Sequence, residues 1–160
     1  YGVRPASREA ALEAFAAGHH ALVMPGGDVD GFKAHRDRNT IVFDGRSGFA
    51  QLAIDTGVPV VPIVTSGAGN TLLSLSDGQG IAKALRLDRL LRLKAVPTTI
   101  SIPWGLNIGL VGFAPHVPLP AKLSTRILPE MRPDVDEDAA AFADRVRATM
   151  QGALTELSAQ

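Results

Sequence analysis

The chain has 160 residues and 46% apolar content, enough for one hydrophobic core and too little for two comfortable domains. Its 16 basic side chains cancel its 16 acidic ones, so the molecule as a whole offers no attraction for nucleic acid and any electrostatic function is local. With no cysteine, a disulfide framework, a thiolate zinc site and a cysteine nucleophile are all excluded.

In chain order, Ser7 is a candidate N-cap for a helix over about 8 to 17. Ala11, Leu12, Phe15 and Ala16 recur there at helical spacing, and Gly18 supplies a left-handed stop. Ala21, Leu22, Val23 and Met24 read as a short interior strand bounded by Pro25, Gly26 and Gly27. Residues 25 to 45 carry turn-forming glycines, aspartates and Asn39, and so predict a long loop of the kind that tends to be functional. A helix over about 46 to 56 follows, with Phe49, Leu52, Ala53 and Thr56 on one face and Gly57 as its stop. Val58 to Val64 reads as the next strand. Its Pro59 and Pro62 cannot donate ladder hydrogen bonds and belong at a strand start, a bulge or an edge. Strand, helix and strand at this spacing predict parallel crossover units. Farther on come a leucine-rich helix near 80 to 93, strands near 98 to 102 and 123 to 128, and a terminal helix over about 137 to 158. Phe142, Val146, Met150, Leu154 and Leu157 line one face of that helix, with Asp134 or Asp136 as its cap.

The longest apolar stretch, from Ile102 to Pro115, is interrupted by Pro103 and several glycines, and nothing reaches the roughly 18 uninterrupted residues of a spanning helix. The basic residues Lys83, Arg86, Arg89, Arg92 and Lys94 face the single Asp88, with Ala84, Leu87, Leu90 and Leu91 able to share the opposite face. That pattern fits a helix lying on anionic lipid, with Arg86, Arg89 and Arg92 facing the membrane, and equally fits a surface helix whose leucines reach the core.

Paired glycines after an interior strand let backbone come close to a ligand, with amides that can face an anion or a developing oxyanion; they can also simply turn the chain. Several other motifs fail on spacing. Gly26-Gly27-Asp28 is not continued by the Gly-Thr of lipid-kinase nucleotide loops, since Val29 and Asp30 follow. Gly67-Ala68-Gly69 has Leu72 where a dinucleotide fingerprint needs its third glycine, and His35-Arg36-Asp37 has Val42 where a kinase loop needs asparagine. The four histidines form no recognisable metal set.

The sequence Met24-Pro25-Gly26-Gly27, then Arg46-x-Gly48-Phe49, then Val58-Pro59-Val60-Val61-Pro62-Ile63 resembles the third and fourth sequence blocks of the glycerolipid acyltransferase superfamily. It is similar to the lysophospholipid acyltransferase-like (1-acylglycerol-3-phosphate acyltransferase-like) enzymes, in the branch whose third block reads Pro-Gly-Gly. The resemblance is strong over 20 to 66 and loose out to about 130. It implies a single α/β domain over 1 to 160 with a mainly parallel sheet flanked by helices. It also implies an O-acyltransferase that uses acyl-CoA or acyl carrier protein as acyl donor, binds no other cofactor or metal, and acts on a glycerolipid or lipid-alcohol hydroxyl at the cytoplasmic side of a membrane.

In that family a His-x-x-x-x-Asp block supplies the general base. Five positions beyond His19, His20, His35 and His116 stand Met24, Pro25, Thr40 and Ala121, so no catalytic residue is expected in this chain and the base is expected from an upstream segment. Pro25, Gly26 and Gly27 are the expected substrate-binding turn, and Val58, Pro59, Val60, Val61 and Pro62 the expected structural motif. The arginine that often grips acceptor phosphate after the third block falls on Val29, which leaves Arg36, Arg38 and Arg46 as candidates. Arg36 and Arg38 are equally readable as solvated charges beside Asp37. A lipid-binding module without chemistry, or a nucleotide-binding enzyme using Gly26-Gly27-Asp28, are the alternative functions.

Overall fold

The computed structural model describes residues 7–31, 33–71, 73–76, 98–101, 105–108 and 117–160. Helix α1 spans Arg8–Ala16, capped by Ser7, whose hydroxyl accepts the Ala10 amide at 3.2 Å, and the chain leaves it through Gly18 at φ +74°. The face that the periodicity assigns to a core is not fully covered, since α1 has no buried residue. Arg8 pairs with Asp55 of the next long helix.

The long loop contains the single-turn helix α2, Gly27–Gly31, and a 3-10 turn at His35–Asp37. Helix α3, Gly48–Thr56, ends as the sequence predicts, with Gly57 in the left-handed region at φ +70°. The terminal helix α4 runs over Ala139–Ser158. Its cap is Asp138, which accepts the Ala141 amide at 2.8 Å, and not Asp134 or Asp136. The reason is local: Glu137 reaches back to the Asp134 amide at 2.9 Å and Asp136 adopts φ +64°, so the chain becomes helical only after Asp138.

The core lies between α3 and α4. Ala50 and Ala53 are small enough to let α4 approach, so that Phe142 and Val146 are sealed from solvent against them and Phe43. Burying a side chain such as Phe142 contributes about 1.5–3 kcal/mol. A second cluster of Val64, Ala153 and Leu157 shares Ile41 and Met150 with the first.

Strand β1, Ile63–Ser66, pairs antiparallel with β5, Ser124–Ile127, in the register Ile63 to Ile127. Strands β2, Leu73–Ser76, β3, Thr98–Ser101, and β4, Gly105–Ile108, form a second antiparallel sheet in that order. Every strand pair among the described residues is antiparallel, so the crossover units expected from the sequence are not seen there. Two local differences stand out. Ala21 to Met24 joins neither sheet, and Leu22 and Met24 are 79% and 78% exposed. The strand expected over Val58 to Val64 begins only at Ile63, because Pro59 and Pro62 have no N–H to give a ladder. Val60 between them exchanges both hydrogen bonds with Met131, at 2.9 and 2.7 Å, and the Pro62 carbonyl accepts the Leu128 amide at 2.9 Å. The expected helix near 80 to 93, with Arg86, Arg89 and Arg92, lies outside the described residues.

Candidate functional site

The loop that shapes the site is organised by a tight reversal at Phe43-Asp44-Gly45-Arg46. Asp44 and Gly45 both have positive φ, +53° and +70°, and the Arg46 amide donates to the Phe43 carbonyl at 3.0 Å, the pattern that an Asp-Gly pair favours. Phe43 is buried and packs edge-on against Phe49, with ring centroids 5.5 Å apart, so this turn is anchored in the core. Arg46 is thereby aimed at the Pro-Gly-Gly segment. Its Nη1 donates to the Pro25 carbonyl at 3.1 Å and to the Gly26 carbonyl at 2.9 Å, and Nη2 lies 3.9 Å from the Asp44 carboxylate.

The glycines are there because the space is taken. A Cβ on Gly26 would run into the Asp30 side chain and the Val42 carbonyl, while Gly27 holds φ +52° with the Arg46 guanidinium where its Cβ would stand. Asp30 fastens the other side of the loop, accepting from Lys33 Nζ at 2.9 Å and from the Val42 amide at 3.0 Å, and Lys33 also reaches the Thr40 carbonyl.

Between this loop and β1 lies a cleft of about 630 Å³. Pro25, Gly26 and Gly27 form one edge; Ile41, Phe43, Val64, Met150 and Leu154 give it an apolar floor; Asp30, Lys33, His35 and Arg38 supply polar groups. An apolar cleft with a few convergent polar groups is the ordinary form of a small-molecule site. A smaller cavity of about 270 Å³ lies along residues 41–47 and α4, lined in part by Asp44, Arg46 and Arg147.

The three arginine candidates separate cleanly. Arg38 lines the cleft, with Nη1 donating to the His35 carbonyl at 2.9 Å. Arg36 points away: its side chain is 85% exposed and its Nε meets Asp37 at 3.2 Å, a solvated surface pair. Arg46 sits behind the Pro-Gly-Gly turn and not on the cleft lining. Of the Val58 to Pro62 motif, none lines the cleft, and its continuation Ile63, Val64 and Thr65 does.

Sequence reasoning missed Lys33 and His35. His35 Nδ1 lies 3.2 Å from the Gly69 carbonyl. A carbonyl only accepts, so in this contact Nδ1 carries the proton. The signal for both residues was the length of the 25 to 45 loop, since a test restricted to fixed motif spacings discards a histidine that long-range folding brings to the glycine turn. Among the described residues no three His, Asp or Glu side chains converge as a metal site.

The chain belongs to the diacylglycerol acyltransferase family, whose sequence model matches residues 1–92. It is also similar to two mammalian proteins, each described as a "DGAT1/2-independent enzyme synthesizing storage lipids". The Bos taurus protein is 40% identical over 58 residues and the Mus musculus protein 38% identical over 58 residues. Each alignment covers 36% of this chain and 17% of the relative, so the chain spans a small part of the length of the curated relatives it matches. No solved structure matches it. The match bears out the acyltransferase resemblance at the level of the family and does not extend to the lysophospholipid branch.

Proposed function

We propose that the chain is part of an O-acyltransferase that moves a fatty acyl group from an acyl thioester, acyl-CoA or acyl carrier protein, to a hydroxyl of a glycerolipid or lipid alcohol in neutral lipid or phospholipid synthesis. The observation that carries this reading is the cleft. It joins the Pro-Gly-Gly turn to an apolar floor that suits an acyl chain, and Lys33 and Arg38 beside it suit the phosphates of a thioester carrier. In the reaction a base takes the acceptor hydroxyl proton, the oxygen attacks the thioester carbonyl, and the tetrahedral intermediate expels a thiolate that is protonated to the thiol. The base is proposed to come from a His-x-x-x-x-Asp segment outside these 160 residues. The mainly parallel sheet is likewise proposed for the complete acyltransferase fold, with the antiparallel pairs at its margin, and a structure of a longer protein tests it.

Thermal shift tests the ligand class. A long-chain acyl-CoA at about a hundred times its Kd adds roughly 2.7 kcal/mol to stability, which for a chain of this size raises Tm by roughly 5–10 °C. Free CoA is expected to do less, and Arg38→Ala to reduce the shift. A rise with ATP and none with acyl-CoA would replace this reading with the nucleotide-binding one. Binding without transfer, in a protein that also supplies the His-x-x-x-x-Asp block, would leave a lipid-binding module.

The protein is further proposed to sit at the cytoplasmic face of an anionic membrane through the basic segment 83 to 94. Each basic residue near such a surface contributes roughly 1 kcal/mol, so neutralising Arg86, Arg89 and Arg92 together is expected to release the protein from anionic liposomes at low salt. Unchanged sedimentation would sink that attachment.

A further inference from the structure

We propose that Arg46 is a positioning residue that holds the Pro-Gly-Gly turn from behind, and not a ligand for a substrate anion; its importance for acyl transfer rests on the reading of the cleft given above. An Nη nitrogen carries two hydrogens, and Arg46 Nη1 directs them to two successive carbonyls, Pro25 at 3.1 Å and Gly26 at 2.9 Å. Asp44, two residues earlier on the same reversal, faces Nη2. The glycine and the arginine are complementary, because the guanidinium occupies the volume that any side chain at position 27 would require. Gly27 is therefore favoured both by its φ of +52° and by the Arg46 guanidinium behind the turn.

The chemical consequence follows from the direction of the dipoles. A carbonyl oxygen turned toward an acyl centre would oppose the negative charge that develops there. By engaging both oxygens on its own nitrogen, Arg46 fixes the orientation of the two peptide planes that edge the cleft. The Gly27 amide, bonded to the Met24 carbonyl at 3.1 Å, and the Asp30 amide, bonded to the Gly26 carbonyl at 3.3 Å, report on the orientation of the Gly26–Gly27 plane.

Two measurements on this chain test the clamp without any assay of activity. Losing hydrogen bonds from a charged donor frees the turn to open locally, so Arg46→Ala is expected to speed amide exchange at Gly27 and Asp30 about tenfold or more, with exchange in α4 unchanged. In a double-mutant cycle, Gly27→Ala is expected to be less damaging in the Arg46→Ala background than alone, because the guanidinium it collides with is gone. Unchanged exchange at both amides, or strict additivity, overturns the proposal. Where transfer is measurable, Arg46→Ala is expected to lower kcat while KM for the acyl donor moves by less than about twofold, with partial recovery in Arg46→Lys, whose ammonium can reach one carbonyl. A raised donor KM at constant kcat would make Arg46 a substrate ligand and overturn the proposal. Absence of transfer in the unsubstituted acyltransferase would count against the enzymatic reading, and exchange and the cycle would still decide the clamp.

Discussion

Glu137 and Arg145 show what a single pair does at the start of α4. Arg145 donates Nε to one Glu137 oxygen at 2.9 Å and Nη2 to the other at 2.5 Å, a two-pronged contact that also reaches the Arg132 carbonyl at 2.8 Å. The same guanidinium lies 5.1 Å from the Phe142 ring centroid. The Arg145 hydrogen bonds, aided by the Asp134 amide, hold the Glu137 carboxyl at about 2 against its ordinary 4.5. A lowered carboxyl pKa means that the folded state prefers the charged form. Its stabilisation is complete above pH 4.5 and is lost as pH falls toward 2. Urea midpoints are expected to drop across that window, and Glu137→Gln is expected to be weaker at pH 6 yet flatter in its response below 4.5. Parallel profiles for the two proteins would show that the pair is not the source. None of this was visible in the spacing, because Glu137 and Arg145 are eight residues apart and meet across the extended Asp138 cap, at φ −77° and ψ 164°, ahead of the first turn of α4.

Elements whose signals are local were legible. The presence of α1, α3 and α4, the cap of α1 and the stops of α1 and α3 follow from Ser7, Gly18, Gly57 and the three-or-four spacing of Phe142, Val146, Leu154 and Leu157, all of which act within a turn or two. Strands β3 and β5 fall where they were expected. Pairing was not legible, because which strands meet depends on contacts far apart in sequence: β1 joins β5 some 60 residues later, and Ala21 to Met24, apolar enough for an interior strand, joins neither described sheet. The candidate site was half legible for the same reason. Pro25, Gly26 and Gly27 announce a turn by composition, but the role of Arg46 depends on a reversal that brings it back over some 20 residues, and the place of His35 depends on Gly69 arriving 34 residues later.

At the scale of the whole molecule, the apolar surface is unevenly disposed. Leu22 and Met24 stand out on the run that leads into the Pro-Gly-Gly turn, and Ile63, Leu123 and Ile127 are exposed on or next to the β1–β5 pair. Scattered apolar residues are normal on any surface, but several on one run of backbone and on one small sheet are an invitation to association. The equal numbers of acidic and basic side chains provide no net repulsion to oppose it. This chain is therefore expected to bind a hydrophobic dye in its folded state and to self-associate as concentration rises, most steeply near its sequence pI of about 7.1. Leu22→Lys and Met24→Lys together place two like charges on the exposed run, so they are expected to lower both dye fluorescence and sedimentation-detected oligomer while leaving the far-UV spectrum unchanged. The same chain is expected to show no acyl transfer alone. A positioned base contributes about a hundredfold to ten-thousandfold, and none of its four histidines has an aspartate five residues on. Robust turnover by the 160 residues, abolished by changing His35 in the cleft, would move the base into this chain and refute its assignment to another segment.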